Sequence, residues 1–298
     1  MRFTKMHGIG NDYVYVDGFQ ESIEDAPSLA RAIVDRHCGV GGDGLILIQP
    51  PTAAANDCRM EMYNADGTRA QMCGNGIRCV GKYTYDHGIA RQESLRVETD
   101  DGVKKLQLVL GADGTVAEVE VDMGPPRLER AQVPFVDGGP PSETAIDIPL
   151  RVRDHTFRTT VVSMGNPHSV IRLDRPGEAA LPGFSTVDEI ALEAWGPAFE
   201  NHEFFPERTN TEFITLPSRT EMLFRVWERG SGETLACGTG ACAAVVAACL
   251  NGWCEREVLV RLRGGDLRIR WLPDEDGKAG HVLMRGAAAE VFQGEWKG

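Results

Sequence analysis

Two cysteines stand in the same setting. Cys73 opens Cys73-Gly74-Asn75-Gly76 and Cys237 opens Cys237-Gly238-Thr239-Gly240, and a helix-forming run follows each. A C-G-x-G turn between a strand and a helix can do two things at once. The first N–H groups of a helix lack intrahelical partners and carry the positive end of its dipole. A carboxylate can settle there, and glycines let it approach the backbone closely. A cysteine at the same place should have its thiolate stabilised, lowering its pKa toward neutrality. One turn thus offers an anchor and a base. Two offer a base for one face of a carbon and an acid for the other, work that suits a thiol because both its forms can exist near neutral pH. A free cysteine is more commonly a small buried hydrophobe. Cys79, Cys242 and Cys249, inside apolar helices, read that way; the duplicated glycine turn sets Cys73 and Cys237 apart.

The turns belong to a weak internal repeat. Met60-Glu61-Met62-Tyr63-Asn64 leads to Cys73, and Phe224-Arg225-Val226-Trp227-Glu228 leads to Cys237, 164 positions later. Each copy reads as strand, C-G-x-G turn and helix, with Gly10-Asn11 and Gly165-Asn166 as a looser upstream pair. Two copies of one domain facing each other across a cleft are the simplest arrangement. Short alternating or β-branched runs predict strands over Tyr13–Asp17, Leu45–Ile48, Arg59–Tyr63, Leu95–Glu98, Lys105–Val109 and Val116–Val121. Others follow over Thr159–Val162, Thr211–Thr215, Leu223–Trp227 and Val258–Leu262, the last joined by Gly264-Gly265 to Leu267–Trp271 as a hairpin. Helices are expected over Ser28–His37, Gly76–Asp86, Asp188–Ala194 and Gly240–Leu250. Pro125-Pro126 and Gly138-Gly139-Pro140-Pro141 mark a crossover, and Asp274–Gly280 reads as a solvated loop.

A chain of 298 residues exceeds one ordinary core, so two domains are expected. Hydrophobic content of 42% and charged content of 25% are those of a soluble globular protein. A net charge of −13, with no compensating basic cluster, argues against nucleic acid or an anionic membrane as partner. The N-terminus has no apolar run for a signal peptide, and the longest apolar stretch, Ala241–Leu250, is about half a membrane span. A cytoplasmic protein with free thiols is therefore expected. The eight cysteines include no C-x-x-C, the seven histidines form no H-E-x-x-H, and no metal site is expected. Gly39-Val40-Gly41-Gly42-Asp43-Gly44 satisfies G-x-G-x-x-G, but a helix precedes it and a strand follows, the reverse of the dinucleotide-binding order. A cysteine hydrolase, with Cys73 and His168, would leave the second C-G-x-G unexplained. A thiol redox or binding protein could use two facing cysteines but would not need the asparagines and Arg229.

Along nearly its whole length the sequence resembles the diaminopimelate epimerases. The resemblance rests on Lys5–Asp12, Arg36–Gly44, Tyr63–Gly67, Met72–Cys79, Met164–His168, Arg208–Phe213, Trp227–Thr234 and Ala236–Gly240 taken in order. It implies an α/β (α+β) fold of two pseudo-symmetric domains, each a curved mixed sheet wrapped around a central helix. These would be residues 1–124, with a returning C-terminal strand at 283–298, and residues 125–282. It implies a cofactor-independent enzyme acting on diaminopimelate, a small molecule of lysine and peptidoglycan-precursor synthesis, as a homodimer. It makes Cys73 the acceptor of the proton from the L,L substrate and Cys237 the donor to the opposite face. It places His168 and Glu228 near the thiols and the reacting amine. Backbone N–H groups of Gly74, Asn75, Gly238 and Thr239 would hold the carboxylate. Asn11, Asn64, Asn166, Asn210 and Arg229 would hold the distal end. Without the resemblance, an asparagine beside glycine reads as a turn residue. Some relatives carry Gln where this chain has Gly44, so no role passes to that position. Proline-racemase-like enzymes share the two-cysteine logic and stay as the alternative.

Overall fold

A computed structural model describes residues 1–175, 177, 183–272 and 280–298. The chain forms two compact units, Met1–Asp122 with Arg285–Gly298, and Met123–Met284. The first contains β1 (Arg2–Gly8), β2 (Asn11–Asp17), α1 (Ala26–Ile33), β3 (Gly44–Gln49), β4 (Cys58–Asn64), β5 (Arg69–Ala70), α2 (Gly74–Asp86), β6 (Ser94–Thr99), β7 (Gly102–Leu110) and β8 (Val116–Asp122). The second contains β9 (Ile148–Val152), β10 (His155–Ser163), β11 (Pro167–Arg172), α3 (Leu192–Glu200), β12 (Asn210–Ser218), β13 (Glu221–Glu228), β14 (Gly232–Glu233), α4 (Gly238–Leu250), β15 (Glu257–Leu262) and β16 (Gly265–Trp271). Strand β17 (Val282–Ala287) carries the chain back, and β18 (Ala289–Glu295) lies antiparallel to β1.

The two sheets are built in the same order. In the first, β18–β1 and β1–β2 are antiparallel, β2–β3 parallel, β3–β4 antiparallel, β4–β6 parallel and β6–β7 antiparallel. In the second, β9–β10 and β10–β11 are antiparallel, β11–β12 parallel, β12–β13 antiparallel, β13–β15 parallel and β15–β16 antiparallel. The sequence repeat is therefore a repeat of pairing as well as of motif. Each sheet wraps one helix: α2 packs on β1, β2, β4, β7 and β8, and α4 on β10, β11, β12 and β16. Both helices have 13 residues and both start and end at the same repeat offset. Helix α4, apolar on all sides, is buried from Ala241 through Ala248, as a helix enclosed by its sheet must be.

The expected elements need several corrections. Helix α1 begins at Ala26 because Asp25 caps it, its side chain accepting from the Ser28 N–H, and Pro27 suits the first turn. It ends at Ile33, whose carbonyl takes the N–H groups of Val40 and Gly41 rather than continuing the helix. Helices α2 and α4 begin at Gly74 and Gly238, two residues before the expected starts; the first glycine of each turn is already helical, with the cysteine as N-cap. The helix expected over Asp188–Ala194 is a short 3-10 turn at Val187–Glu189 followed by α3, because Ile190 is extended and breaks the path. In the β15–β16 hairpin Leu262 pairs with Gly265, so Arg263-Gly264 form the turn. Residues 274–279 of the expected solvated loop lie outside the described residues.

Candidate active site

Cys73 is the N-cap of α2, extended at φ −132° and ψ 120°, and the Gly76 N–H points at its sulfur over 3.4 Å. The thiol donates to Asn11 Oδ1 at 3.2 Å. That amide is held from outside: Asn11 Nδ2 donates to Asp43 Oδ2 at 2.7 Å, and the Asp12 N–H reaches the same oxygen at 3.1 Å. Arg36 clamps Asp43 and Asp12 at 2.9 and 2.7 Å, and Lys5, buried, pairs with Asp12 at 2.5 Å. The glycine-rich segment after α1 thus aims the Asn11 carbonyl at Cys73. Arg78, fully buried, donates to the Gly74 carbonyl at 3.2 Å and holds a positive charge one turn below the thiol. A Cβ on Gly44 would come within 2.3 Å of the Tyr63 carbonyl, so no side chain from that position fits this backbone. Asn64 is exposed and closes the β4–β5 turn, its Nδ2 donating to Thr68 Oγ1 at 3.0 Å.

Cys237 caps α4 with similar backbone angles, φ −119° and ψ 107°, but receives no capping hydrogen bond. It is buried, with the Thr239 hydroxyl 3.6 Å from its sulfur. Glu228, ending β13, accepts from the Thr234 hydroxyl. His168 on β11 and Glu212 on β12 form a fully buried pair, Nδ1 to Oε1 at 2.7 Å, and His168 Nε2 meets Asn166 Oδ1 at 2.9 Å. Both ring nitrogens of His168 are thereby engaged by protein oxygens. Asn210 is also buried. Its Nδ2 donates to the Pro167 carbonyl at 3.0 Å and its Oδ1 accepts the Arg229 N–H at 2.9 Å, so it fixes the start of the Arg229 turn. Arg229 itself, half-exposed, donates from Nη1 to the Glu207 carbonyl at 2.8 Å. Glu200 braces that turn from behind, accepting from the Gly230 N–H at 2.9 Å and Trp227 Nε1 at 2.8 Å.

The expectation that both thiols sit low in pKa is overturned, because burial outweighs the helix start. Burial pushes Cys73 above its ordinary value, against the pull of the Gly76 and Asn75 N–H groups, the Tyr13 hydroxyl and Arg78. Cys237 is pushed well above it, first by burial and then by the negative charges of Glu228 and Glu212. The backbone N–H groups of Gly74 and Asn75, and of Gly238 and Thr239, belong to the first two positions of α2 and α4. Asp43, Tyr13 and Glu212 were not singled out from the sequence. Glu212 left one trace, a carboxylate inside the run Thr211-Glu212-Phe213-Ile214 at a position that alternation gives no reason to bury.

The model of the diaminopimelate epimerase family matches residues 3–129 and 160–291. A diaminopimelate epimerase of Desulfovibrio desulfuricans is 49% identical over 299 residues, covering 99% of this chain and 98% of that protein. One of Methanococcus maripaludis is 45% identical over 295 residues, with 99% of each covered. In fold, the chain is similar to a crystal structure of a PhzF-family phenazine biosynthesis protein of Bacillus anthracis, with TM-score 0.69 and 16% identity over 99% of this chain and 98% of that one. It is also similar to a probable proline racemase of Agrobacterium radiobacter, with TM-score 0.67 and 12% identity over 99% and 92%. With both segments of the family model matched across most of its length, this chain belongs to the diaminopimelate epimerase family.

Proposed function

We propose that the chain is an isomerase that interconverts L,L- and meso-diaminopimelate by two-base proton transfer between thiols, without a cofactor. The observation that carries this reading is the repeat itself: a cysteine capping a 13-residue helix, twice, in two sheets of one pairing order. Inversion at carbon needs one group to remove a proton and another to return one, and a single nucleophile leaves the second turn idle. The unequal surroundings support one division of roles. Cys73, faced by N–H donors, a hydroxyl and a buried guanidinium, is the group more easily ionised and removes the α-proton of the L,L substrate. Cys237, faced by carboxylates, is held as the thiol and donates to the other side. His168 and Glu228 tune Cys237.

Backbone N–H groups of Gly74, Asn75, Gly238 and Thr239, at the starts of α2 and α4, hold the reacting carboxylate and stabilise the charge that develops beside it. Arg229 takes the distal carboxylate with its two-pronged guanidinium, and Asn11, Asn64, Asn166 and Asn210 complete the recognition. The family reading also makes the enzyme a cytoplasmic homodimer, which light scattering tests; among the described residues no helix is long and apolar enough to cross a membrane. Incubation with L,L-diaminopimelate in deuterated water should yield meso product carrying deuterium at the inverted carbon. Lysine, lacking the distal carboxylate, should not exchange. Efficient racemisation of lysine or proline would keep the chemistry and overturn the substrate.

A further inference from the structure

We infer that Glu212, a residue inside β12, is a positioning residue of the Cys237 half-site that fixes the His168 ring and keeps Cys237 protonated at rest. The inference rests on the reading of Cys237 as a proton donor. Four features of the geometry support it. The side chains of Glu212 and His168 are both fully buried, and a 2.7 Å contact joins Oε1 to Nδ1. The other ring nitrogen faces Asn166 Oδ1, so both nitrogens are held by neighbouring side-chain oxygens and the ring is fixed in place. The second carboxylate oxygen, Oε2, is buried with no hydrogen-bond partner among the described residues. A buried carboxylate oxygen left unpartnered costs folding energy, and its persistence at a site points to use there.

The fourth feature is where this charge lies. A Cβ built on Gly240 would stand 2.8 Å from Glu212 Oε1 and 3.2 Å from Cys237 Sγ. The carboxylate and the thiol therefore flank the same glycine, and only glycine leaves room for both. Among the described residues the charged groups facing Cys237 are Glu228 from β13 and Glu212 from β12, and His168 of β11 is bonded to Glu212. From its own helix come the Thr239 hydroxyl and the Gly240 N–H. The oxygen that meets the His168 ring, Oε1, is also the one nearest Gly240, so the carboxylate presents the same corner to the ring and to the thiol's glycine. Glu212 itself is pushed up by burial and drawn back by His168. It is thus one carboxylate with two tasks, an orienting partner for the ring and a fixed negative charge for the thiol.

Glu212→Gln tests this, because the amide keeps the shape and an oxygen for the His168 N–H while removing the charge. Loss of a neighbouring negative charge favours the thiolate, so the Cys237 pKa should fall. The pH dependence of iodoacetamide labelling, read residue by residue by mass spectrometry, should move down by about one pH unit at Cys237, about tenfold in rate at fixed pH. Labelling at Cys73 should stay where it is. The alkaline limb of kcat/KM should move down with Cys237, the acid limb should not move, and kcat should fall while KM holds. In the wild type, Cys73 should label at lower pH than Cys237, a measurement that stands even if the variant does not fold. An unmoved Cys237 midpoint, an equal shift at Cys73, or the reverse wild-type order would overturn the inference. Labelling as expected in a protein that exchanges no substrate deuterium would overturn the epimerase reading and keep this one.

Discussion

The two cysteine turns share a backbone and differ in everything around it. Cys73 is half-buried, receives a backbone N–H at its sulfur, and looks at a neutral amide held by an outer lattice of charges, Asp43, Arg36, Asp12 and Lys5. Cys237 is buried, has the Gly240 N–H in the equivalent place, and looks at carboxylates. The same helix start occurs twice, and the strands beside each start give the two thiols different neighbours. Two identical thiols would share one preference for the proton. The unequal surroundings push Cys237 further above its ordinary pKa than Cys73.

The largest effect expected from breaking this pair is loss of either sulfur. Cys73→Ala and Cys237→Ala should each cut turnover by about 10²–10⁴-fold or more, measured in both directions, and near-normal activity of either variant would end the two-base account. Next comes Gly240→Ala. Its added methyl meets a carboxylate oxygen and Cys237 Sγ, whereas Gly76→Ala meets the ends of Ile46 and Met60, apolar chains that can shift. Displacing reacting groups by about 1 Å can cost about 10²-fold, so Gly240→Ala should lose far more kcat than Gly76→Ala. Equal losses would show that the two turns are equally tolerant. Asp43→Ala should act only on the Cys73 side. It removes a negative charge and frees the Asn11 amide to turn its N–H toward the sulfur, and both changes favour the thiolate. The acid limb of the pH profile should therefore move down by less than about one unit, with the alkaline limb unmoved. The smallest effect is Asp25→Ala, which uncaps α1 away from either thiol. It should lower Tm by about 2–4 °C in a thermal melt and leave kcat unchanged.

The repeat, the strands and both cysteine turns were legible because they depend on local signals: alternation, glycine, and a cysteine before a helix. Gly74 and Gly238 read as turn residues, so the sequence places both helix starts two residues late; nothing local says that a glycine is already helical. The Gly39–Gly44 segment reads only as a failed nucleotide fingerprint. Its use, aiming Asn11, depends on Asp43 meeting a residue 32 positions away. The thiols' pKa direction is hidden from the sequence for a related reason: the helix start is local and visible, whereas burial is a property of the finished sheet. Glu212 was hidden among β-formers, since period-two patterning cannot mark a charge that a histidine 44 positions away makes tolerable. Asn64 and Asn210 make ordinary structural hydrogen bonds, the turn role for the first and a strand-to-turn clamp for the second.

The place that β9 holds in the second sheet is held in the first by β18, the last strand of the chain. Phe292 packs edge-to-face on Phe3 at 6.0 Å, and a Cβ on Gly294 would strike the same ring. During synthesis the second unit, contiguous in sequence, can close its sheet as soon as it leaves the ribosome. The first cannot, although its strands emerge earlier: β1 keeps an open edge, with its backbone groups unpaired on that side, until residues 289–295 arrive. Such an edge is a template for unwanted pairing, and closing it over nearly the whole chain length is slow. The half made first is therefore the half finished last, and the epimerase fold depends on its final strand for solubility on the way as much as for stability at the end.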